Sequence, residues 1–176
     1  MSSDYIKNGN FNDDFKYWKG NPGFEPHFEA HGQSLLMPIS SFVSQSLPDL
    51  PGHTLRLAFD ARSKESETHP GMLTVSVGGF NSEGFAQVSP VTIYATGEWQ
   101  RFSVRLYFVE PLTYCFLNIS TPSPAYPQGT EQEPRPIPFS PVRVSNLRLT
   151  DEAQQKGTDA KPQRSGPAFA ERRKAP

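Results

Sequence analysis

Apolar and polar residues alternate along several short segments of the chain. In residues 53–62, Leu55, Leu57, Phe59 and Ala61 occupy every second position, and mostly polar residues stand between them. A two-residue period is that of a β-strand with one buried face. This segment therefore predicts a strand with a core face and a solvent face.

Similar alternation covers residues 71–80, 98–109 and 112–120. Residues 85–97 are rich in β-branched side chains but contain Pro90, which cannot donate a ladder hydrogen bond and so predicts an edge strand or a bulge. Pro38 interrupts the apolar stretch at 34–48, which predicts two short strands or one bent strand.

The last apolar segment changes its parity part-way. Val142 and Val144 share one parity, whereas Leu147 and Leu149 have the other. A β-bulge near residues 145 and 146 would turn all four side chains inward.

Turn residues separate these segments, and 18 prolines and 13 glycines stand beside hardly any helix-period pattern. We therefore predict an all-β fold, a two-sheet antiparallel β-sandwich, with a jelly roll favoured over an immunoglobulin-like order. The predicted domain is 1–150, with a proline-rich loop at 120–141. Residues 151–176 have few large apolar side chains, which predicts a disordered C-terminal tail.

Charge and targeting signals limit the function classes. The formal net charge of −1 offers no field for nucleic acid or for a membrane surface. No run approaches the roughly 20 apolar residues of a membrane span, and no signal peptide is recognisable. These features predict a cytoplasmic protein, with non-classical export left open. Cys115, the one cysteine, stands in an apolar strand pattern and is predicted to be a buried hydrophobe.

Residues 8–18, NGNFNDDFKYW, predict a tight turn after a short strand through Tyr5 and Ile6. Phe11, Trp18 and Trp99 are predicted to lie in the core. The segment resembles the amino-terminal N-G-x-F-E…W signature of jelly-roll carbohydrate-binding modules of the fourth and ninth families, which are galactose-binding-domain-like. SQSLPDLPGHTLRLAFDARS, GEWQRFSVRL and PVRVSNLRLT resemble later segments of those modules in the same order. The resemblance spans about residues 5–150 and implies a lectin-like, carbohydrate-binding function.

Many members of those families hold a structural calcium ion between two carboxylates. At the matching positions this chain has Asn12 and Ser145. Because calcium prefers carboxylates among its oxygen ligands, we predict no cofactor and no tight metal site. A weak calcium site using Asp13, Asp14 and backbone carbonyls stays open.

Sugar recognition combines an aromatic platform with polar side chains for the hydroxyl groups. A hairpin between the strands at 98–109 and 112–120 would bring such groups onto one concave sheet face. The predicted ligand-binding residues are Arg56, Arg101, Arg105, Tyr107, Tyr114, Phe116 and Asn118. The alternative is that the proline-rich loop covers the aromatic rings and the arginines are merely solvated.

A secondary loop site is predicted at one end of the sandwich. Its aromatic residues are Phe80, Phe85, Tyr94 and Tyr126. Aromatic rings in loops also serve simply to anchor the loops to the core, so this alternative is kept.

No catalytic motif emerges, so the chain is predicted not to be an enzyme. His27, Glu29 and His31 alternate as metal ligands could, although a solvated strand face also explains this pattern. The predicted function is a non-catalytic carbohydrate-binding module whose partner is a glycan. The alternative is a protein-interaction or assembly module, such as a virion, toxin or surface-complex component, which would have a protein partner.

Overall fold

A computed structural model describes residues 4–28, 34–64, 69–123 and 139–152. Within these ranges the chain forms nine strands and no helical element. The strands are β1 (Lys19–Gly20), β2 (Leu35–Met37), β3 (Phe42–Ser46), β4 (Thr54–Ser63), β5 (Gly71–Phe80), β6 (Ala86–Ala95), β7 (Gln100–Tyr107), β8 (Thr113–Ser120) and β9 (Val142–Asp151).

The strands form two antiparallel sheets. One sheet has the order β1-β3-β8-β5-β6, and the other has the order β2-β9-β4-β7. Chain neighbours such as β7 and β8 lie in different sheets, so the chain repeatedly crosses from one layer to the other. This arrangement confirms the predicted all-β jelly-roll sandwich. In the part of the chain that the structure describes, no helix has the length and hydropathy of a membrane span.

The core lies between the two sheets and is built from alternate residues of their strands. Leu55, Leu57 and Phe59 of β4 are fully buried, as the two-residue period predicts, and β5 and β8 bury their own alternate residues. The fully buried alternate residues of β5 and β8 are Leu73, Val75, Val77, Leu117 and Ile119. The outer faces are therefore left to polar and aromatic side chains.

The bulge in β9 is confirmed. Val142, Val144, Leu147 and Leu149 are all buried. The β4–β9 register shifts between Ala58 and Asp60, opposite this point. An extra residue on β9 restores the inward parity, and β9 continues through Asp151, one residue beyond the predicted end of the domain.

The Asn-Gly-Asn turn is explained by a close approach of two backbones. Leu147 N donates to the Gly9 carbonyl over 2.9 Å, and a Cβ atom on Gly9 would lie 2.0 Å from the Leu147 carbonyl oxygen. Only glycine fits there. The predicted strand through Tyr5 and Ile6 is wrong, because this segment makes only a bridge between Asp4 and Thr150.

Phe11 and Trp18 are core residues, as predicted, with ring centroids 5.3 Å apart. The Trp18 indole also donates to the Asn8 carbonyl over 3.2 Å. The prediction that Trp99 is in the core is wrong, since 43% of it is exposed and Arg62 lies 5.0 Å above its ring. Trp99 shares the outward parity of Arg101, which explains its position.

The predicted proline-rich loop and C-terminal tail fall largely outside the described residues, at 124–138 and 153–176.

Candidate functional site

The predicted single ligand-binding face is wrong, because its residues lie on opposite outer surfaces. β7 pairs with β4, whereas β8 pairs with β3 and β5. The connection at residues 108–112 crosses between the sheets instead of forming a hairpin, which adjacency in sequence could not reveal. Arg56, Arg101, Arg105 and Tyr107 belong to the four-stranded sheet, and Tyr114, Phe116 and Asn118 belong to the five-stranded sheet.

On the four-stranded sheet, the predicted arginines are paired with carboxylates. Arg56 and Arg105 stand directly opposite each other on β4 and β7, and both donate to Glu152 Oε1, over 2.8 and 2.7 Å. The hydrogen bond from Arg56, followed by that from Arg105, lowers the pKa of the Glu152 carboxyl. Arg101 donates to Asp60 over 2.9 Å. Like charges facing each other across strands are destabilising, so these carboxylates help to hold the sheet together.

On the five-stranded sheet, the outer face forms a cleft of about 250 Å³. Its floor comes from neighbouring positions of two strands, since Ser44 pairs with Asn118 and Ser46 pairs with Phe116. The amino-terminal loop and β1 form one wall. The lining residues are Lys7, Tyr17, Lys19, Ser44, Gln45, Ser46, Phe116 and Asn118.

A glycine determines how Phe116 lies on this face. Gly78 of β5 stands opposite Phe116, and a Cβ atom on Gly78 would lie 3.1 Å from Phe116 Cζ and 2.4 Å from the Gln87 carbonyl oxygen. The missing side chain lets the ring extend over β5. Phe116 is thus half-buried, and its ring is supported from below.

A buried amide fastens the amino-terminal loop to the cleft. Gln45 is 3% exposed. Its Oε1 accepts from Lys7 N over 2.8 Å, and its Nε2 donates to the Lys7 carbonyl over 2.8 Å. The side chain therefore pairs with the Lys7 backbone much as a neighbouring strand would, and it fixes the wall that carries Lys7.

Two exposed tyrosines on this side have left-handed backbone conformations. The φ angle is 73° at Tyr17 and 49° at Tyr114, and the side chains are 49% and 83% exposed. Bulky residues rarely adopt positive φ, and such strain concentrates at functional sites. Lys7 Nζ and Lys16 Nζ lie 5.3 and 5.2 Å from the centroid of the Tyr17 ring.

The predicted secondary loop site is not assembled. Phe80 and Phe85 flank the β5–β6 turn and are 42% and 67% exposed. Tyr94 pairs with Met72 at the far end of the hairpin, about 26 Å away at 3.3 Å per residue. There its ring packs 6.2 Å from Phe139. The prediction placed Tyr94 at the same end as Phe80 and Phe85, whereas the ten residues of β6 carry it to the other end. Tyr126 lies outside the described residues.

The amino-terminal loop has its own internal hydrogen bonds. Asn8 Nδ2 donates to the carbonyls of Asp14 and Lys16, over 3.0 and 3.2 Å, so the Asn8 side chain ties the loop together. In the described ranges, no three His, Cys, Asp or Glu side chains come together as a metal site. Glu29 and His31 lie outside those ranges.

Cys115 is 3% exposed, and its thiol donates to the Leu112 carbonyl. Burial raises the pKa of the thiol. The prediction that Cys115 is buried is confirmed.

Sequence reasoning missed most of the cleft. Of its lining residues, only Phe116 and Asn118 were predicted. Tyr17 could have been found from parity, because Trp18 next to it is in the core. Ser44 and Ser46 could likewise have been placed outward, because the apolar Val43 takes the inward parity of β3. Lys7 could not, since its position depends on the pairing with Gln45.

Comparisons with known proteins bear on the fold. No family model matches the sequence, and no curated protein matches it either. Among solved structures, the family 22 carbohydrate-binding module of Clostridium thermocellum Xyn10B matches with a TM-score of 0.56 at 11% identity, covering 83% of this chain and 92% of that module. A family 61 module, TmCBM61, in complex with β-1,4-galactotriose, matches with a TM-score of 0.56 at 17% identity, covering 84% and 98%.

The fold is that of jelly-roll carbohydrate-binding modules. A bacteriophage CBA120 tailspike domain shares it, with a TM-score of 0.53 at 14% identity. That match covers 83% of this chain but only 21% of the tailspike chain, so this jelly roll also occurs as a small part of a much longer protein.

Proposed function

We propose that this chain is a non-catalytic carbohydrate-binding module that binds a glycan in the cleft on the outer face of the five-stranded sheet. The cleft residues named above define the site. The proposal includes no chemical step, and the sheet face serves to hold a sugar chain.

One observation carries the proposal: the cleft combines a supported aromatic ring with unburied polar side chains. The ring of Phe116 extends over Gly78, where it offers an apolar surface to the C–H face of a pyranose. Asn118, Ser44 and Ser46 stand on the two strands beside it and can hydrogen-bond to sugar hydroxyl groups. This pairing of chemistries is what sugar binding requires.

The same face extends beyond the cleft along β3. Phe42 is 39% exposed and pairs with Ser120, four positions along the ladder from the pairing of Ser46 with Phe116. At 3.3 Å per residue the two residues are about 13 Å apart along the strand direction. One glycan chain lying along these strands would contact both rings, which favours an extended polysaccharide over a single sugar.

The comparisons support a glycan as the ligand. TmCBM61 was solved with β-1,4-galactotriose, and the Xyn10B module was studied for the role of its cleft residues in ligand binding. At 11–17% identity these relatives share only the fold, so the sugar must be identified on this protein itself.

The test is binding of the purified chain to a glycan array, followed by calorimetry on the glycans that bind. Phe116→Ala should reduce affinity about tenfold or more, as for a central aromatic contact, and Asn118→Ala should reduce it with little effect on folding. Phe85→Ala is the matched control, since Phe85 is an exposed aromatic residue at the β5–β6 turn. A folded protein that binds no glycan, or a Phe116→Ala variant that binds like wild type, would refute the proposal.

A second candidate, the assembly module, is favoured by exposed apolar side chains at one end of the sandwich. Residues 81–85 contact the 108–112 connection through Ser82 and Glu110, 3.1 Å apart. Exposed large side chains surround this contact. They are Phe80, Phe85, Tyr107, Val109 and Tyr114.

Patches of this kind often mark protein interfaces. Light scattering at rising concentration tests for self-association, with Phe85→Ser combined with Val109→Ser as the disrupting variant. If the wild type stays monomeric throughout, self-assembly through this end is excluded.

A further inference from the structure

The two charged side chains that line the cleft, Lys7 and Lys19, are both positive. We infer that the glycan is acidic, carrying carboxylate or sulfate groups that bind the lysine side chains of the cleft. This inference rests on the proposed function and specifies the class of glycan that the same site takes.

Two lysines line the cleft and a third is held beside it. Lys7 and Lys19 contribute to its wall. The Tyr17 ring lies 5.3 Å from Lys7 Nζ and 5.2 Å from Lys16 Nζ, so cation–π attraction holds both ammonium groups beside a ring that lines the cleft. Because both distances are to the same ring, the two ammonium groups are at most about 11 Å apart, which is comparable to the Debye length of about 8 Å at physiological salt, so their positive potentials partly add.

Within the described ranges, no acidic side chain forms an ion pair with these lysines. The lining contains no Asp or Glu. Among the same residues, the basic partners in ion pairs are His53, Arg56, Arg101 and Arg105. None of these ion pairs includes Lys7, Lys16 or Lys19. Two lysines line the cleft without an ion pair and a third lies over Tyr17, so this face offers a positive site that an anionic ligand can complete.

On the opposite sheet, the basic residues have a structural role, because carboxylates pair with them. There, Arg56 and Arg105 share Glu152, and Arg101 is held by Asp60. Those carboxylates stabilise the sheet without a ligand. Among the described residues, the cleft lysines have no such partner, and they line the same cleft as Phe116, so an acidic sugar would meet both.

Different residues of the cleft would contact different parts of such a sugar. Phe116 would take the apolar face of the ring, and Asn118 with Ser44 would take hydroxyl groups from the floor. The ammonium groups of Lys7 and Lys19 on the wall would take the acidic substituent as charge-assisted hydrogen bonds.

Matched pairs of glycans test the inference at physiological salt. Polygalacturonate is compared with its methyl ester, and dextran sulfate is compared with dextran, so that each pair shares a sugar backbone but differs in charge, and the two pairs separate carboxylate from sulfate. The proteins are wild type, Lys7→Gln, Lys19→Gln and the double variant. Arg148→Gln is the control, because it removes one exposed positive charge from β9 on the opposite sheet. Thermal unfolding of every variant checks that the fold is kept.

We expect at least one acidic polymer to bind more tightly than its neutral partner. Each lysine substitution should reduce that affinity about tenfold, the size of one charge-assisted hydrogen bond, whereas Arg148→Gln should change it less than twofold. Neutral glycans that bind as tightly as acidic ones, without dependence on the lysines, would overturn the inference and leave the proposed function standing.

An equal loss in Arg148→Gln and Lys19→Gln would also overturn it, since the attraction would then be unspecific or belong to the arginine-bearing face. Binding of no glycan of either kind would instead refute the proposed function.

Discussion

The pairing of Gln45 with the Lys7 backbone should stabilise the whole protein as well as the cleft wall. Gln45→Met keeps the length of the side chain but removes both 2.8 Å hydrogen bonds. Each bond contributes about 0.5–1.5 kcal/mol, and a polar group left without a partner costs about 1–3 kcal/mol. Because Lys7 itself is exposed, water can replace part of the loss for its backbone groups. We therefore expect the free energy of unfolding to fall by about 2 kcal/mol.

Urea denaturation measures this loss as a lower midpoint with an unchanged slope. Gln87→Met is the matched control, since Gln87 Nε2 donates to the Tyr107 carbonyl over a long 3.5 Å and should contribute under about 0.5 kcal/mol. The acidic and neutral glycans above provide a second measurement, because the wall that carries Lys7 loses its anchor. Equal midpoints for the two variants would refute the role assigned to Gln45.

Three other changes have defined outcomes. Gly78→Ala should unfold at a lower temperature in calorimetry, because the added Cβ would meet the Gln87 carbonyl and the Phe116 ring. Overpacking of this kind costs about 1–3 kcal/mol. An unchanged melting temperature would show that the Phe116 ring does not rest on Gly78. Hydrogen bonds from Arg56 and then Arg105 lower the pKa of Glu152 below its ordinary value near 4.5. The carboxylate therefore stabilises the fold above that value, and this stabilisation is lost as pH falls through the lowered pKa. Glu152→Gln should melt earlier than wild type at pH 7 but not at pH 2, and a pH-independent difference would contradict this. Cys115 should react with iodoacetamide only on unfolding, and rapid labelling of native protein would contradict its burial.

The strands and the core could be predicted because each depends on a local pattern. β4, β5 and β9 bury the alternate residues that their sequences indicate, and the bulge in β9 follows from a change of parity within one segment. Burial of one face is a property of the strand itself, so reading the strand alone is enough.

The site could not be predicted in the same way, because it depends on which strands become neighbours. Arg105 and Phe116 lie on consecutive strands, yet these strands belong to opposite layers. A hairpin is the simplest reading of a short connection, and nothing within residues 108–112 reports the crossing. The pairing of Gln45 with Lys7 spans 38 residues and leaves no local signal either.

One edge strand of the five-stranded sheet limits how two copies of the chain can pair. β6 is one of the two edge strands of this sheet, and Pro90 stands in the middle of β6. Because proline offers no N–H group, a foreign strand cannot form an unbroken ladder along this edge. Two copies that meet along this edge could thus lie side by side without joining their sheets into one.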